Sequence, residues 1–509
     1  MSRFVWMGLP LLLFAFPLVG RAEDQPRPAD VFALQDLIQK TIERAEPAVA
    51  CILVSRSDEY KRFNAAPPDE ESGKLGRFDG SPYTRQLGFN GVNREADARR
   101  RLVKTTLDLS DPDVIPESFG SGVVIDADGG LVLTMAHVIH DATKIYVRLP
   151  GGKGSWADVH AADPRADLAV LRLLDPPVGL KAVKLGDGSH LRKGQFVLCL
   201  ANPFAAGFRD GSPSASWGII SNLQRRVYGV TSEVERPGVK PTLHHYGTLI
   251  QTDVRLALGC SGGALLNLDG ELIGVTTAQA ALAGSEAPGG YAVPLDDPMK
   301  RIIEVLMRGD EVEYGFLGVR FDNGDGRIGP GAGVMLMGVE EGSPAERAGL
   351  RQGERITAIN GNPIHDNDDL YLQIGLCLAG GKATVDATGL DGRPRTVQVT
   401  MAKSFTPGKA IASHRPAPRG GMRVDYPSIL GQRIGIHRIP EGVAIREIVP
   451  GGAADRARLK VDCVVTQVAG RPVKTPAEFY DAMAKAEGPV ELTVLNQENR
   501  QDRVTIDPR

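Results

Sequence analysis

Two stretches in the last third of the chain can be laid over each other without a gap. They run from Gly333 to Ile364 and from Gly442 to Val473. Gly342 falls on Gly451, Arg347 on Arg456, Leu350 on Leu459, Gly361 on Gly470 and Pro363 on Pro472. A unit that occurs twice must fold twice, so this third holds two copies of one small domain. The full 509 residues exceed what one core organises, so a separate and larger domain precedes the repeats.

That larger domain reads as β structure. Between 118 and 297, short apolar runs are punctuated by Gly and Asp with no helical periodicity between them. Examples are Gly122–Ile125, Leu168–Leu171, Phe196–Leu198 and Leu272–Val275. Such spacing predicts an antiparallel barrel or sandwich. Ahead of it, Val31, Leu34, Leu37, Ile38 and Ile42 have helical spacing, and Ala48–Val54 reads as a strand. Residues 55–117 turn polar and lose periodicity, which predicts a long surface insertion. Residues 404–424, rich in Pro, Gly and basic side chains, read as a flexible linker between the repeats.

The first 22 residues have the three parts of a secretory signal: Arg3, an apolar run from Val5 to Val19, and Gly20-Arg21-Ala22. The chain is expected in a periplasm, or held at the membrane if the signal stays uncleaved. The net charge of -3 excludes a strongly basic whole-chain footprint, so no nucleic-acid partner is expected. Five cysteines exclude a dense disulfide framework.

Three segments carry chemistry. They are Leu133–Val138 with His137, Asp163–Val170 with Asp163 and Asp167, and Gly259-Cys260-Ser261-Gly262-Gly263. A Ser hydroxyl becomes nucleophilic when a neutral imidazole takes its proton and a carboxylate orients that imidazole. Backbone N–H donors must also face the developing oxyanion, and glycines allow the tight turn that presents them. The order His, Asp, Ser is one known order for such a triad and goes with a double β-barrel. Either Asp163 or Asp167 suits the carboxylate role on this reading. His140, one turn from His137, suggests a metal pair, but no Cys or acidic partner follows; no metal or organic cofactor is expected.

These motifs, with Gln251-Thr252-Asp253 and Gly290-Tyr291-Ala292-Val293-Pro294, resemble the HtrA/Deg family of exported trypsin-like serine proteases with C-terminal PDZ domains. The resemblance covers about residues 31 to 508 outside the insertion. Val138 stands where secretory trypsins carry a disulfide cysteine, which fits the bacterial branch. The resemblance implies a mainly β fold: a trypsin-like double β-barrel protease domain at 31–305, PDZ domains at 311–403 and 425–508, and the linker at 404–424. It makes His137 the general base, Asp167 its orienter and Ser261 the nucleophile, because the family's triad Asp directly precedes Leu-Ala. The N–H groups of Gly259 and Ser261 would form the oxyanion hole. Tyr314, Gly315, Phe316, Leu317 and Gly318 resemble a PDZ carboxylate-binding loop.

Some positions depart from the family pattern. Leu258, Gly259 and Cys260 replace the usual residues before the nucleophile, which predicts a looser loop and an oxyanion hole incomplete at rest. Cys260 reads as a small residue that fits there rather than as a redox-sensitive point. Arg255 is the candidate for setting specificity, unless it simply faces solvent. The second repeat is degraded: Arg458, Val461-Asp462 and Ala469 stand where the first has Gly349, Gln352-Gly353 and Asn360. The expected activity is hydrolysis of misfolded or unfolded exported proteins, with PDZ domains binding peptide C-termini and regulating it. The alternative is a chaperone or scaffold on a protease fold. The resemblance also implies a homotrimer or a higher homo-oligomer, with the first helix and the insertion as assembly elements.

Overall fold

The computed structural model describes residues 29–56, 108–114, 116, 118–226, 242–278, 289–321, 333–406, 410–434, 438–496 and 500–507. The signal at 1–22 and most of the insertion at 55–117 lie outside the described residues. A first helix, α1 (Ala29–Ala45), leads into six strands: β1 (Val49–Ser55), β2 (Ser118–Asp126), β3 (Leu131–Met135), β4 (Lys144–Leu149), β5 (Lys153–Asp163) and β6 (Leu168–Leu173). They run β5-β4-β1-β2-β3-β6, all antiparallel, and β6 pairs back onto β5 to close a barrel.

Strand β1 is buried along its whole length because both of its faces are covered. Its Ala50, Ile52 and Val54 join the barrel core. Cys51 and Leu53, on the opposite face of the pleat, pack with Leu109 and Val114 from the end of the insertion. Arg148 ties that end down by donating to the Leu109 and Ser110 carbonyls, each at 3.1 Å.

A second closed barrel follows: β7 (Phe196–Ala201), β8 (Ser214–Arg225), β9 (Leu249–Thr252), β10 (Ala264–Leu266), β11 (Glu271–Thr277) and β12 (Gly290–Pro294). Its order is β10-β7-β8-β9-β12-β11, and β10 pairs with β11. Helix α2 (Asp297–Met307) closes the domain, its N-terminus capped by Asp296, which accepts from the Met299 N–H at 3.0 Å.

The repeats form two sheets of matching order. The first contains β13 (Gly315–Phe316), β14 (Val319–Phe321), β15 (Val334–Val339), β16 (Arg355–Ile359), β17 (Lys382–Thr388), β18 (Pro394–Thr400) and β19 (Ala402–Lys403). Helices α3 (Pro344–Arg347) and α4 (Asn367–Gly375) cover it. The sheet order is β14-β15-β16-β17-β18, while β13 pairs separately with β19. After β20 (Ile411–Ala412), the second copy repeats this order with β21 (Met422–Asp425), β22 (Val443–Ile448), β23 (Val464–Val468), β24 (Val490–Leu495) and β25 (Gln501–Ile506). The substituted turn positions keep the left-handed backbone of the first copy. Arg458, Asp462 and Ala469 have φ of 58°, 73° and 48°, against 80°, 88° and 52° at Gly349, Gly353 and Asn360. Holding a non-glycine residue there costs roughly 1–2 kcal/mol each. The second core is therefore bought with more strain than the first.

The segment expected as a flexible linker is strapped to the protease domain. Within it, β20 pairs with Ala161 and Ala162 of β5, and Ser413 Oγ lies 2.7 Å from His160 Nδ1. A second junction is a buried lysine. Lys403 Nζ lies 2.9 Å from Glu313, 3.0 Å from Asp425 and 3.1 Å from Glu311, joining the chain before β13, the end of β19 and the end of β21. Burial alone would lower its pKa, but the carboxylates outweigh burial and raise it, so the ammonium stays charged. Removing the ammonium strands the buried Asp425, while Glu311 and Glu313 keep contact with water, so the cost is about 1–3 kcal/mol. Lys403→Met is therefore expected to strip amide-exchange protection from β13 and β21; unchanged protection there contradicts the assignment.

Candidate active site

Strand β5 ends at Asp163 and β6 begins at Leu168, so a tight loop carries both candidate carboxylates. Asp163 turns back on its own loop, accepting from the N–H groups of Arg165 at 3.2 Å and Ala166 at 3.0 Å. Its remaining partner is the hydroxyl of Tyr314, which donates to it. Burial pushes the Asp163 carboxyl up to about 6 against these donors. Asp167 is the carboxylate that meets the histidine. Its Oδ1 accepts from the His137 backbone N–H at 2.9 Å, and its Oδ2 lies 2.7 Å from His137 Nδ1. With Nδ1 donating its hydrogen to this carboxylate, the neutral ring carries no hydrogen on Nε2. Asp167 is buried, whereas the His137 side chain is 25% exposed.

Asp167 adopts φ 52°, a left-handed conformation that costs about 1–3 kcal/mol in a residue other than glycine. It persists because the loop is held from several directions. The Asp167 carbonyl accepts from Ala136 N–H at 3.0 Å, and the Arg165 carbonyl from Leu243 N–H at 2.9 Å. His140 is not drawn into a metal pair: its ring faces solvent and pairs with Asp141 at 3.1 Å. Among the described residues, no group of three His, Cys, Asp or Glu is placed to hold a metal ion.

Ser261 sits on the loop between β9 and β10, pressed against the first barrel. Its carbonyl accepts from Ser121 N–H at 2.8 Å. The loop expected to be loose is pinned instead. Ser121 Oγ donates to the Gly259 carbonyl at 2.8 Å, Phe204 N–H to the Leu258 carbonyl at 2.7 Å, and Thr276 Oγ1 to the Cys260 carbonyl at 2.5 Å. Gly262 has φ 89°, and a Cβ there would lie 2.0 Å from the Ser121 carbonyl oxygen, so only glycine fits. Among the described residues, the N–H groups of Gly259 and Ser261 donate to no protein acceptor. The Ser261 Oγ accepts from the Ala278 N–H at 2.9 Å and makes no hydrogen bond to His137 among the described residues. Cys260 is buried and burial raises its thiol pKa, which leaves little thiolate for redox chemistry.

The remaining sequence candidates separate. Arg255 is exposed, while its neighbour Leu256 packs toward Gly290, where a Cβ would lie 2.6 Å from Leu256 Cγ. In the first repeat, the Leu317 and Gly318 N–H groups donate to no protein acceptor among the described residues, and β14 is an edge strand. Gly315 is tied by its N–H to the Cys377 carbonyl at 2.8 Å, and Phe316 pairs with Ala402. Tyr314 belongs elsewhere: it is buried against the protease domain, donating to Asp163 and lying under the Arg165 guanidinium at 4.4 Å.

Sequence reasoning missed two residues that the fold brings to this site. Ser121 lies on β2, and His244 lies on the short turn Leu243–Tyr246. Only the hydroxyl beside Gly120 and Gly122, and the doubled His244-His245, marked them in the sequence.

A double barrel with Ser, His and Asp at its seam, followed by modules with an open strand edge, defines a trypsin-type serine peptidase with peptide-binding domains. The model of the trypsin-like peptidase domain matches residues 120–275, and that of the PDZ domain matches 336–371. The periplasmic pH-dependent serine endoprotease DegQ of Escherichia coli K12 is 31% identical over 76% of this chain and 80% of its own length. The periplasmic serine endoprotease DegP of the same strain is 30% identical over 71% of both. A solved structure of the HtrA-type protease AlgW with a decapeptide covers 73% of this chain and 99% of its own, at 25% identity and a TM-score of 0.47. The chain belongs to the HtrA/Deg family of serine endoproteases.

The Asp163 carboxyl yields a pH signature. Its folded pKa of about 6 stands above its ordinary 3.8, so the protonated form is favoured by folding. That contribution is complete well below pH 3.8 and is lost as pH rises through 6. Relative to Asp163→Asn, the wild type should lose roughly 2 kcal/mol of stability between pH 4 and 7. Parallel denaturation curves across that range check this; a difference independent of pH contradicts it.

Proposed function

We propose that Ser261, His137 and Asp167 act together to hydrolyse peptide bonds in misfolded or unfolded proteins exported to the periplasm. The observation that carries the reading is the 2.7 Å contact between Asp167 and His137 Nδ1, which leaves Nε2 free as a base. Catalysis begins when the Ser261 hydroxyl exchanges its bond from Ala278 for one to Nε2. His137 takes the proton as Oγ bonds to the peptide carbonyl carbon. The carbonyl oxygen becomes an oxyanion, for which the Gly259 and Ser261 N–H groups are the available donors. Return of the π electrons breaks the C–N bond, and the amine leaves with the proton from His137. Water then repeats the cycle on the acyl ester and frees Ser261.

Several features support the finer assignments. The exposed Arg255 and the inward Leu256 favour a small apolar side chain before the scissile bond. The unpartnered Leu317 and Gly318 N–H groups and the open edge of β14 suit capture of a peptide C-terminus by strand addition. The second repeat, with its strained turns, serves assembly or weaker binding. Phe196 and Trp217 stack at 5.5 Å while 40% and 54% exposed, which favours a homotrimer or a higher assembly through that face. The Ser261 hydroxyl bonded to Ala278 gives the chaperone reading its one support, since it describes a protease at rest.

Incubating the mature protein with a fluorophosphonate and with an unfolded model protein tests this. The expected result is labelling and cleavage by the wild type and neither by Ser261→Ala. Suppression of aggregation by both, with cleavage by neither, supports the chaperone reading instead. A monomer in sedimentation removes the assembly assignment.

A further inference from the structure

Behind Asp167 lies a side chain that the triad does not use. His244 is fully enclosed at the protease core, on the turn Leu243–Tyr246. Its Nε2 lies 2.8 Å from the Ala166 carbonyl oxygen, and its Nδ1 lies 2.6 Å from Thr248 Oγ1. A carbonyl oxygen only accepts, so Nε2 carries the hydrogen. Nδ1 is then free to accept from the Thr248 hydroxyl, and the neutral ring satisfies both contacts. Burial agrees with this, lowering the His244 pKa. The titratable groups acting on it are Asp167, His245 and His137.

The atom that His244 holds has mechanical meaning. The Ala166 carbonyl belongs to the peptide that enters Asp167, and Asp167 is the strained left-handed residue of the loop. Asp163 holds the two preceding N–H groups, Leu243 N–H holds the Arg165 carbonyl, and Ala136 N–H holds the Asp167 carbonyl. Among the described residues, the peptide plane directly before Asp167 is thus fixed on its carbonyl side by this one side chain, and that plane sets where the carboxylate points. We propose that His244 is a positioning residue for Asp167: by donating to the Ala166 carbonyl, it keeps the carboxylate aligned with His137 Nδ1. This deepens the triad reading and rests on it.

The test uses the full mature chain and a peptide substrate, with wild type, His244→Leu, His244→Gln, His244→Asn and Ser261→Ala. Glutamine places an amide N–H near the imidazole Nε2 position, and asparagine places one near Nδ1. His244→Leu should lower kcat about 30-fold or more while KM stays within about twofold, since substrate contacts are intact. A carboxylate out of line supports the His137 imidazolium less, so the acid limb of kcat/KM should move to lower pH. His244→Gln should restore most of kcat, and His244→Asn should not. Wild-type kcat in His244→Leu overturns the proposal, as does a loss of kcat with an unmoved acid limb and no rescue by glutamine. If His244→Leu fails to fold, the comparison of Gln with Asn decides: a clear advantage for Gln supports the role, and equality overturns it. Turnover retained by Ser261→Ala overturns the triad reading itself, and this proposal with it. Turnover lost in Ser261→Ala but unchanged in His244→Leu overturns this proposal alone.

Discussion

The candidate active site depends on one serine other than Ser261. Ser121, fully buried on β2, links the two barrels at their seam. Its N–H holds the Ser261 carbonyl and its hydroxyl holds the Gly259 carbonyl, while the same oxygen accepts from Asn202 N–H at 2.8 Å. Its own carbonyl accepts from Thr134 Oγ1 at 2.7 Å, three residues before His137. The Ser261 loop belongs to the second barrel and His137 to the first. Neither barrel places both, so the candidate site forms at the seam that Ser121 helps to join. A buried hydroxyl with these partners carries more than its average worth, because losing it strands a buried carbonyl and a buried N–H.

The loop from Asp163 to Asp167 forms a second meeting point. From one side the chain leading into the first repeat reaches it through Tyr314; from the other the turn Leu243–Tyr246 reaches it through Leu243 and His244. The aromatic stack of Tyr246 on Tyr371, at 5.9 Å, and the Arg226–Asp368 ion pair join the same turn region to α4. The strap β20 pairs with β5 just before the loop begins. A strained residue survives where its surroundings over-determine it, and Asp167 has such surroundings.

Much of this was legible in the sequence because it is local. The apolar run of β1, the Gly-rich turn at 259–263 and the match of the repeats are each read from neighbouring residues. The choice between Asp163 and Asp167 needed the resemblance, and the geometry supplies the reason: two backbone N–H groups already occupy Asp163. The illegible parts are long-range. Ser121 and Gly259 are 138 residues apart, His244 and Ala166 are 78 apart, and Tyr314 and Asp163 are 151 apart. No pattern of propensity or periodicity reports such pairs. The same holds for Tyr314, which follows the motif of a binding loop and is claimed by the neighbouring domain. It also holds for residues 404–424, whose composition indicates a linker although Ile411 and Ala412 complete one sheet edge and residues 422–424 begin another.

The most direct measurement is the rate at which a fluorophosphonate labels Ser261 in the Ser121→Ala protein, with folding checked by circular dichroism. If the seam bond sets the nucleophile loop, labelling should slow about 100-fold, alongside a stability loss of about 1–3 kcal/mol. A folded Ser121→Ala protein that is labelled at the wild-type rate would contradict the account.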